Sequence, residues 1–294
     1  MRPDASLLRR RALVLALVGA ALVLLLAPAG ALADFISPES GGSPNADKID
    51  TLYKIVFFIG VAIFLLVEGL LITSIIRFRA RRRGPEPVQV HGNTPLEIGW
   101  TIGAAVLVLV IAGITFAFLG PIRHAPNTTV SNLSASEGVQ FASAPQVSNP
   151  TSKKALHINV TGMQYIWRFD YIDAKRLTEN RPVYSYFRMV VPTDTTVIAK
   201  INAADVIHSW WIPKLGGKAD GVPGYNNYTW FKISKPGLYK GQCAELCGEG
   251  HADMRAQVLA LPPDQYRAWI ETQRNELLAS QKALAAQRKA GIGQ

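Results

Sequence analysis

The only two cysteines of the 294-residue chain lie in one short stretch, Gly241-Gln242-Cys243-Ala244-Glu245-Leu246-Cys247-Gly248-Glu249-Gly250-His251-Ala252-Asp253-Met254. The spacing is C-x3-C-x3-H-x2-M. A further histidine, His208, stands 35 residues upstream of Cys243 in VIHSWW, at the end of a predicted strand. Thiolate, imidazole and thioether are soft or borderline ligands, and together they favour copper. A mononuclear blue-copper site uses one Cys, two His and a weak axial Met, so this loop has that set and one thiolate more. Two thiolates four positions apart could bridge two metal ions, each capped by a histidine. A structural zinc site would use two Cys and two His and has no role for Met. A Cys243–Cys247 disulfide is the fourth possibility in an oxidising compartment. The donor chemistry ranks dinuclear copper first and leaves the other three open.

Such a loop needs a rigid frame. From Ala155 to about Leu261 the segments LHINVTGMQYIWRFDYI, RMVVPTDTTVIAKINAADVIHSWWIP, YTWFKIS and GLYKGQC are β-branched and aromatic, and Pro, Gly, Asn and Asp punctuate them. Several short strands in about 110 residues predict an antiparallel sandwich or Greek-key barrel. After it, Pro262 to Ala290 is rich in Ala, Gln, Lys and Glu and reads as a polar helix with a solvated outer part.

The first 120 residues are of another kind. Arg9 to Arg11, the apolar run Ala12 to Leu26 and the small residues of Ala31-Leu32-Ala33 read as a secretory signal, so residues 1–33 would be removed. Residues 34–50, rich in Gly, Pro and Ser, read as an exposed leader. Ile55 to Ile76 and about Glu97 to Leu119 are each long enough to cross a bilayer. The hairpin between them carries five Arg from Arg77 to Arg83, which places it in the cytoplasm and both ends of the mature chain outside. Residues 51–120 thus form a two-helix hairpin, 121–153 a Ser, Asn, Thr and Pro-rich linker, 154–262 the β domain and 263–294 the C-terminal helix and tail. The architecture is a membrane-anchored α+β chain, two transmembrane helices followed by an all-β domain.

Charge and composition exclude other classes. The net charge is +10, but residues 1–120 hold 11 Lys and Arg against 8 acids, and much of that excess is Arg flanking apolar runs. That is membrane topology, not nucleic-acid binding. Charged residues are only 18%, so the whole chain is not disordered. Two cysteines exclude a disulfide-stapled scaffold. No C-x-x-C-H occurs, so no c-type haem is attached.

With the copper loop, DVIHSWWIP, the GVPG turn at Gly221 to Gly224, PGLYKGQC and the paired spans together, residues 50–265 resemble subunit II of the haem–copper cytochrome c oxidases. The resemblance implies a cupredoxin-like domain carrying a dinuclear copper A centre outside the membrane. It makes Cys243 and Cys247 the bridging thiolates and His208 and His251 the terminal imidazoles. Met254 becomes the weak ligand of one copper and the backbone carbonyl of Glu245 that of the other. The Glu245 carboxylate would also bind magnesium at the interface with subunit I. Glu97, in TPLEIGWT, matches the acid near the mouth of a proton path, and its other reading is an acid stabilised by a helix N-terminus. In GMQYIWRFDY the family often has Trp where this chain has Tyr165, the presumed point where electrons enter, and Trp167 follows two positions on.

The chain would then accept electrons from cytochrome c or a similar periplasmic donor and pass them to haem a in subunit I of a proton-pumping oxidase, among whose other subunits it sits in a bacterial inner membrane. Residues 121–294 hold 20 Lys and Arg against 13 acids, so the field does not suit a strongly basic donor. A membrane-tethered or less basic cytochrome, or a small copper protein, fits better. The rivals are a copper A subunit of a nitric oxide reductase and a membrane-anchored copper delivery protein; a quinol oxidase subunit would lack the ligands. Glu68, mid-span, must face a helix or be protonated. His91, His124 and His157 read as structural or surface residues.

Overall fold

Apolar length decides the first half of the molecule. In the computed structural model, which describes residues 38–79, 89, 91–125, 155–174, 176–177 and 181–289, helix α1 runs Pro44–Arg77 and helix α2 runs Thr94–Arg123. Pro44 opens α1, where its missing N–H costs nothing. Asn93 caps α2 by accepting from the Leu96 N–H at 3.2 Å, and Glu97 Oε1 accepts from the Asn93 N–H at 3.2 Å. The two bonds form a reciprocal cap of the capping-box kind. Phe58, Phe64, Leu65, Leu109 and Phe116 are all exposed, as lipid-facing residues must be. The two helices pack against each other.

The signal segment 1–33, Arg81 to Arg83 of the hairpin and the linker from 126 onward lie outside the described residues. Two expectations at their edges are corrected. The leader is not wholly exposed: the helix begins at Pro44, and Ser43, Asn45, Ala46 and Asp50 are buried. The reason is length. A helix of 34 residues spans about 50 Å, well beyond the hydrocarbon core of about 30 Å, so its first turns stand clear of lipid and reach the β domain. Likewise α2 continues through Pro121 to Arg123, and Ala125 beyond it is buried against Trp230 and Ile198.

Among the described residues, ten strands make the domain: β1 (Leu156–Met163), β2 (Ile166–Tyr171), β3 (Val183–Tyr186), β4 (Arg188–Pro192), β5 (Thr196–Ala203), β6 (His208–Trp211), β7 (Ala219–Gly221), β8 (Asn227–Lys232), β9 (Gly237–Cys243) and β10 (Arg255–Leu261). They form two five-stranded sheets, β3-β2-β1-β5-β8 and β4-β10-β9-β6-β7. Period-2 alternation is strict in β1 and β2, where Ile158, Val160, Trp167, Phe169 and Tyr171 all turn inward and meet Val191, Ile212, Phe231 and Val258. The sandwich is mixed rather than antiparallel, because β1 pairs with β5 and β10 with β4 in parallel. Alternation sets which face is buried but carries no strand direction, and crossovers between the sheets bring these strands side by side. The sheets also join through a single-residue corner. Phe187, between β3 and β4, takes φ 63° and donates its N–H to the Trp167 carbonyl at 3.1 Å.

Helix α3 (Pro263–Lys289) is polar, as its composition predicts, but its first half packs on the domain. Trp269 meets Tyr171 edge-on with ring centroids 5.3 Å apart, and Gln273 Nε2 donates to the Tyr184 carbonyl at 3.1 Å. Tyr171 is fully buried. Its hydroxyl oxygen accepts from the Val190 N–H at 2.8 Å, and burial pushes its pKa well up.

Candidate metal centre

The strand ends at one pole of the sandwich carry the donor residues. His208 opens β6, a strand held between β7 and β9. Cys243 closes β9, and Trp210 of β6 is its register partner. The loop from Ala244 to Met254 is pinched at its neck, where the Cys243 N–H donates to the Met254 carbonyl at 2.9 Å. The Ala244 N–H donates to the Ser209 carbonyl at 2.8 Å and ties the loop to the His208 strand. A 3-10 turn, His251–Asp253, brings His251 and Met254 back under the cysteines. Gly248 permits the reversal with φ 129°, and a Cβ there would meet the Tyr165 hydroxyl at 2.6 Å.

The result is one cluster. Cys243 Sγ lies 3.8 Å from His208 Nδ1, 4.0 Å from Cys247 Sγ and 3.3 Å from the Glu245 carbonyl oxygen. Cys247 Sγ lies 3.5 Å from His251 Nδ1 and 3.8 Å from Met254 Sδ. Each sulfur therefore has its own histidine, with the carbonyl on one side and the thioether on the other. His208 and Met254 have no exposed surface, and both cysteines are buried and free. The sulfurs stand well beyond the ~2.05 Å of a disulfide. Burial first, and then the neighbouring Cys243, push the Cys247 thiol up to about 11. Two buried thiols that share a pocket with two imidazoles suit a cation, which would hold both as thiolates. Six donors, including a thioether and a carbonyl, exceed the four of a closed zinc site. The donor set thus fits copper.

A second layer orients the first. The Asp205 carboxylate accepts from His208 Nε2 at 2.9 Å, from the Gln164 N–H at 2.7 Å and from the Val206 N–H at 2.7 Å. This assigns the ring proton to Nε2 and turns the Nδ1 lone pair toward Cys243. Burial alone would raise the Asp205 pKa, but those hydrogen bonds outweigh it and hold the carboxyl below its usual range. Gln164 Nε2 also donates to the Cys247 carbonyl at 2.7 Å. Trp167 stacks edge-on against the His208 ring at 5.8 Å. The sequence motifs single out neither Gln164 nor Asp205 as a support for the ligands. The D-x-x-H spacing of Asp205 and His208 was the available signal.

The remaining candidates lie elsewhere. Tyr165 is 37% exposed and lies over Gly248 and Gly250 of the metal loop. Trp167, expected beside it where electrons enter, has no exposed surface and cannot meet a donor directly. Glu245 is exposed beside the cluster. Glu97 is in the cap of α2, away from the cluster in sequence and fold. His157 pairs with Asp173 at 2.9 Å.

A mixed β-sandwich with one histidine on a strand and a Cys, His and Met loop at the same pole defines a cupredoxin-like domain, here carried on a two-helix membrane anchor. Residues 156–261 match the profile of the cytochrome c oxidase subunit II periplasmic domain, and residues 35–118 that of the subunit II transmembrane domain. The chain belongs to the cytochrome c oxidase subunit II family. Cytochrome c oxidase subunit 2 of Thermostichus vulcanus is 33% identical over 261 residues, covering 79% of this chain and 76% of that one. The probable subunit 2 of Rickettsia prowazekii is 32% identical over 249 residues, covering 80% and 71%. Subunit 2 of Alkalihalophilus pseudofirmus is 38% identical over 201 residues, covering 68% of this chain; the match spans only about half (51%) of that relative's length. Among solved structures, the periplasmic domain of cytochrome oxidase subunit II of Bradyrhizobium japonicum is similar at 32% identity and a TM-score of 0.39, covering 42% of this chain and 96% of that one.

Proposed function

We propose that this chain is the electron-accepting subunit of a haem–copper cytochrome c oxidase, taking electrons from cytochrome c or a similar donor at a dinuclear copper A centre. They would pass on to haem a in subunit I, in a bacterial inner membrane with the β domain on the periplasmic side. The gathering of all six expected donors into one cluster, buried at His208, both cysteines and Met254, in a chain of this family, carries the reading. Bound copper supplies a one-electron couple. Cys243 and Cys247 would hold the copper as thiolates, with His208 and His251 as imidazole ligands and Met254 and the Glu245 carbonyl as weak ones. The chain's own task is to hold these ligands still and dry. Strands β6 and β9 fix two of them, Asp205 sets the tautomer of one, and the buried shell around Met254 excludes water. A cage that moves little when an electron arrives keeps the reorganisation cost small. Burial of His208 and Met254 also favours retention of the metal over delivery.

The deciding experiment is copper analysis and EPR on the full membrane-anchored chain. Two coppers with one unpaired electron shared between both nuclei are expected. One copper with a localised signal, or none, overturns the reading.

Asp205 gives a graded test. Asp205→Asn keeps the shape but can present its amide to the imidazole, and loss of such an outer partner typically costs roughly 10–100-fold in metal affinity. Competition titration against a copper chelator measures it; unchanged affinity would show that the Asp205 contact is incidental.

Tyr165 is proposed as the surface residue where the donor docks, with Trp167 behind it against His208. The excess of basic residues in 121–294 favours a donor that is not strongly basic. Glu97 is proposed at the mouth of a proton path into subunit I. Glu97→Gln keeps an acceptor for the Asn93 N–H but loses the titrating group. It is expected to slow proton uptake in the reductive steps with copper content unchanged, and wild-type turnover would remove Glu97 from the path. The Glu245 carboxylate is proposed to share a magnesium ion with subunit I. With manganese as the probe, Glu245→Gln in the assembled oxidase should lose the bound-manganese EPR signal, and retention of the signal would argue against it.

A further inference from the structure

The start of α1 is built to hold the β domain rather than to cap itself. Ser43 is the N-cap residue, a position whose hydroxyl ordinarily accepts from its own helix, yet it makes no such bond. Its oxygen instead accepts from the Lys232 N–H of β8 at 3.1 Å, and its hydroxyl bonds Asn45 Oδ1. Asn45 Nδ2 donates to the Trp230 carbonyl at 2.8 Å. Ser43 and Asn45 are each 3% exposed. Buried polar groups of this kind are satisfied in one relative orientation of helix and sheet and left unpaired in others, so they select orientation more than they add affinity.

The same strand residue reaches the second helix. Trp230 Nε1 donates to the Ile122 carbonyl near the end of α2 at 3.0 Å, and its ring is enclosed with Ile198 and Ala125. One tryptophan thus bonds α1 through its backbone and α2 through its side chain. Two glycines make the seat. A Cβ at Gly42 would lie 2.4 Å from the Lys214 carbonyl oxygen, and one at Gly216 would lie 2.6 Å from Asn45 Nδ2. Lys214 belongs to the 3-10 turn Pro213–Leu215, which follows β6, the strand that begins with His208. The helix therefore seats on the segment that continues directly from a metal-site strand.

We propose that Asn45 and Trp230 are positioning residues that lock the sandwich to both membrane helices and so fix the distance from the metal centre to the redox group within the membrane. The electron-transfer part rests on the function proposed above; the locking itself does not. Electron-transfer rates fall steeply with distance, so a domain that shifts on its anchor transfers more slowly. A tethered but unlocked domain would lose that geometry while keeping its copper site whole.

The test uses the assembled oxidase in lipid nanodiscs, with spin labels attached through non-natural residues at Lys235 and Phe78 so that both cysteines stay free. Asn45→Asp keeps the shape and removes the donor to Trp230. Trp230→Phe keeps an apolar ring and removes the donor to Ile122. Each variant is expected to broaden a narrow inter-label distance distribution and to slow copper-to-haem transfer about tenfold or more, while donor-to-copper transfer, copper content and the copper EPR signal stay as in the wild type. A distribution that remains narrow, with transfer at the wild-type rate, overturns the proposal. Should either variant fail to assemble, Gly216→Ala leaves every hydrogen-bonding group in place and wedges a methyl against Asn45; an undisturbed distribution there overturns the lock equally. A wild-type chain without a two-copper signal would defeat the function reading, whereas the distance measurement needs no copper and judges the lock on its own.

Discussion

Replacing Cys243 by serine is expected to abolish the two-copper centre while leaving the sandwich folded. Cys243 is central to the cluster, with His208, Cys247 and the Glu245 carbonyl all within 4.0 Å of its sulfur. A serine hydroxyl is a hard, short donor that does not ionise readily, so it can neither bridge nor charge-balance two soft ions. The expected readout is loss of one or both coppers by metal analysis and collapse of any shared-electron EPR signal to a localised one or to none. Far-UV circular dichroism should stay at the wild-type level, because the swap removes little volume and the β9 backbone is held by β6 and β10. Retention of two coppers with a delocalised signal in Cys243→Ser would be incompatible with Cys243 as a bridging ligand. Met254→Leu is the contrasting case. It removes only a weak donor at nearly constant volume, so the centre should persist with an altered spectrum.

The second large effect is steric and lies two residues upstream. Gly241→Ala would place a Cβ 1.9 Å from the Trp211 carbonyl oxygen and 2.8 Å from the Trp211 carbonyl carbon. These are backbone atoms of the neighbouring strand β6, so no side-chain rotation relieves the clash. Strand β9 must move away from β6, which separates Cys243 from His208. Overpacking of this kind usually costs about 1–3 kcal/mol and occasionally more; a backbone-on-backbone clash belongs at or above the upper end. For a protein of this size that is a fall of roughly 6–12 °C in melting temperature, at about 2–4 °C per kcal/mol. Calorimetry on the copper-free chain measures the stability cost, and copper titration measures the coupled loss of metal affinity. Gly237→Ala in the same strand is the control for strand glycines as such. Nothing lies within 4 Å of a Cβ there, though its φ of 154° adds backbone strain. If Gly241→Ala melted no lower than Gly237→Ala, the close approach of β6 and β9 would not be what holds the two ligands together.

The membrane half was legible because its signal is local. A run of apolar residues needs no partner to declare itself, and arginines beside it orient it. Helix α1 begins at Pro44 and α2 behind its Asn93 cap, and only their domain-facing ends differ from the reading by composition. The metal residues were legible for a related reason. Four of the five side-chain donors occupy twelve consecutive positions, and few other chemistries use Cys, His and Met together. Asp205 and Gln164 were not legible as ligand supports, since an acid and an amide in a loop have many ordinary uses.

Local pattern was enough for the class of the molecule: two membrane spans, a β domain and a soft-ligand loop whose residue types rank copper first. Tertiary structure alone decided three things. It brought His208 across 35 positions onto Cys243, because β6 and β9 pair in register. It set β1 beside β5 and β4 beside β10 in parallel, because crossovers between sheets, not local propensity, choose strand direction. It also seated Ser43 and Asn45 on β8, making part of an apparent leader into a joint. In each case the deciding interaction is a hydrogen bond or a packing contact between residues far apart in the chain, and its energy depends on a geometry that no local pattern encodes.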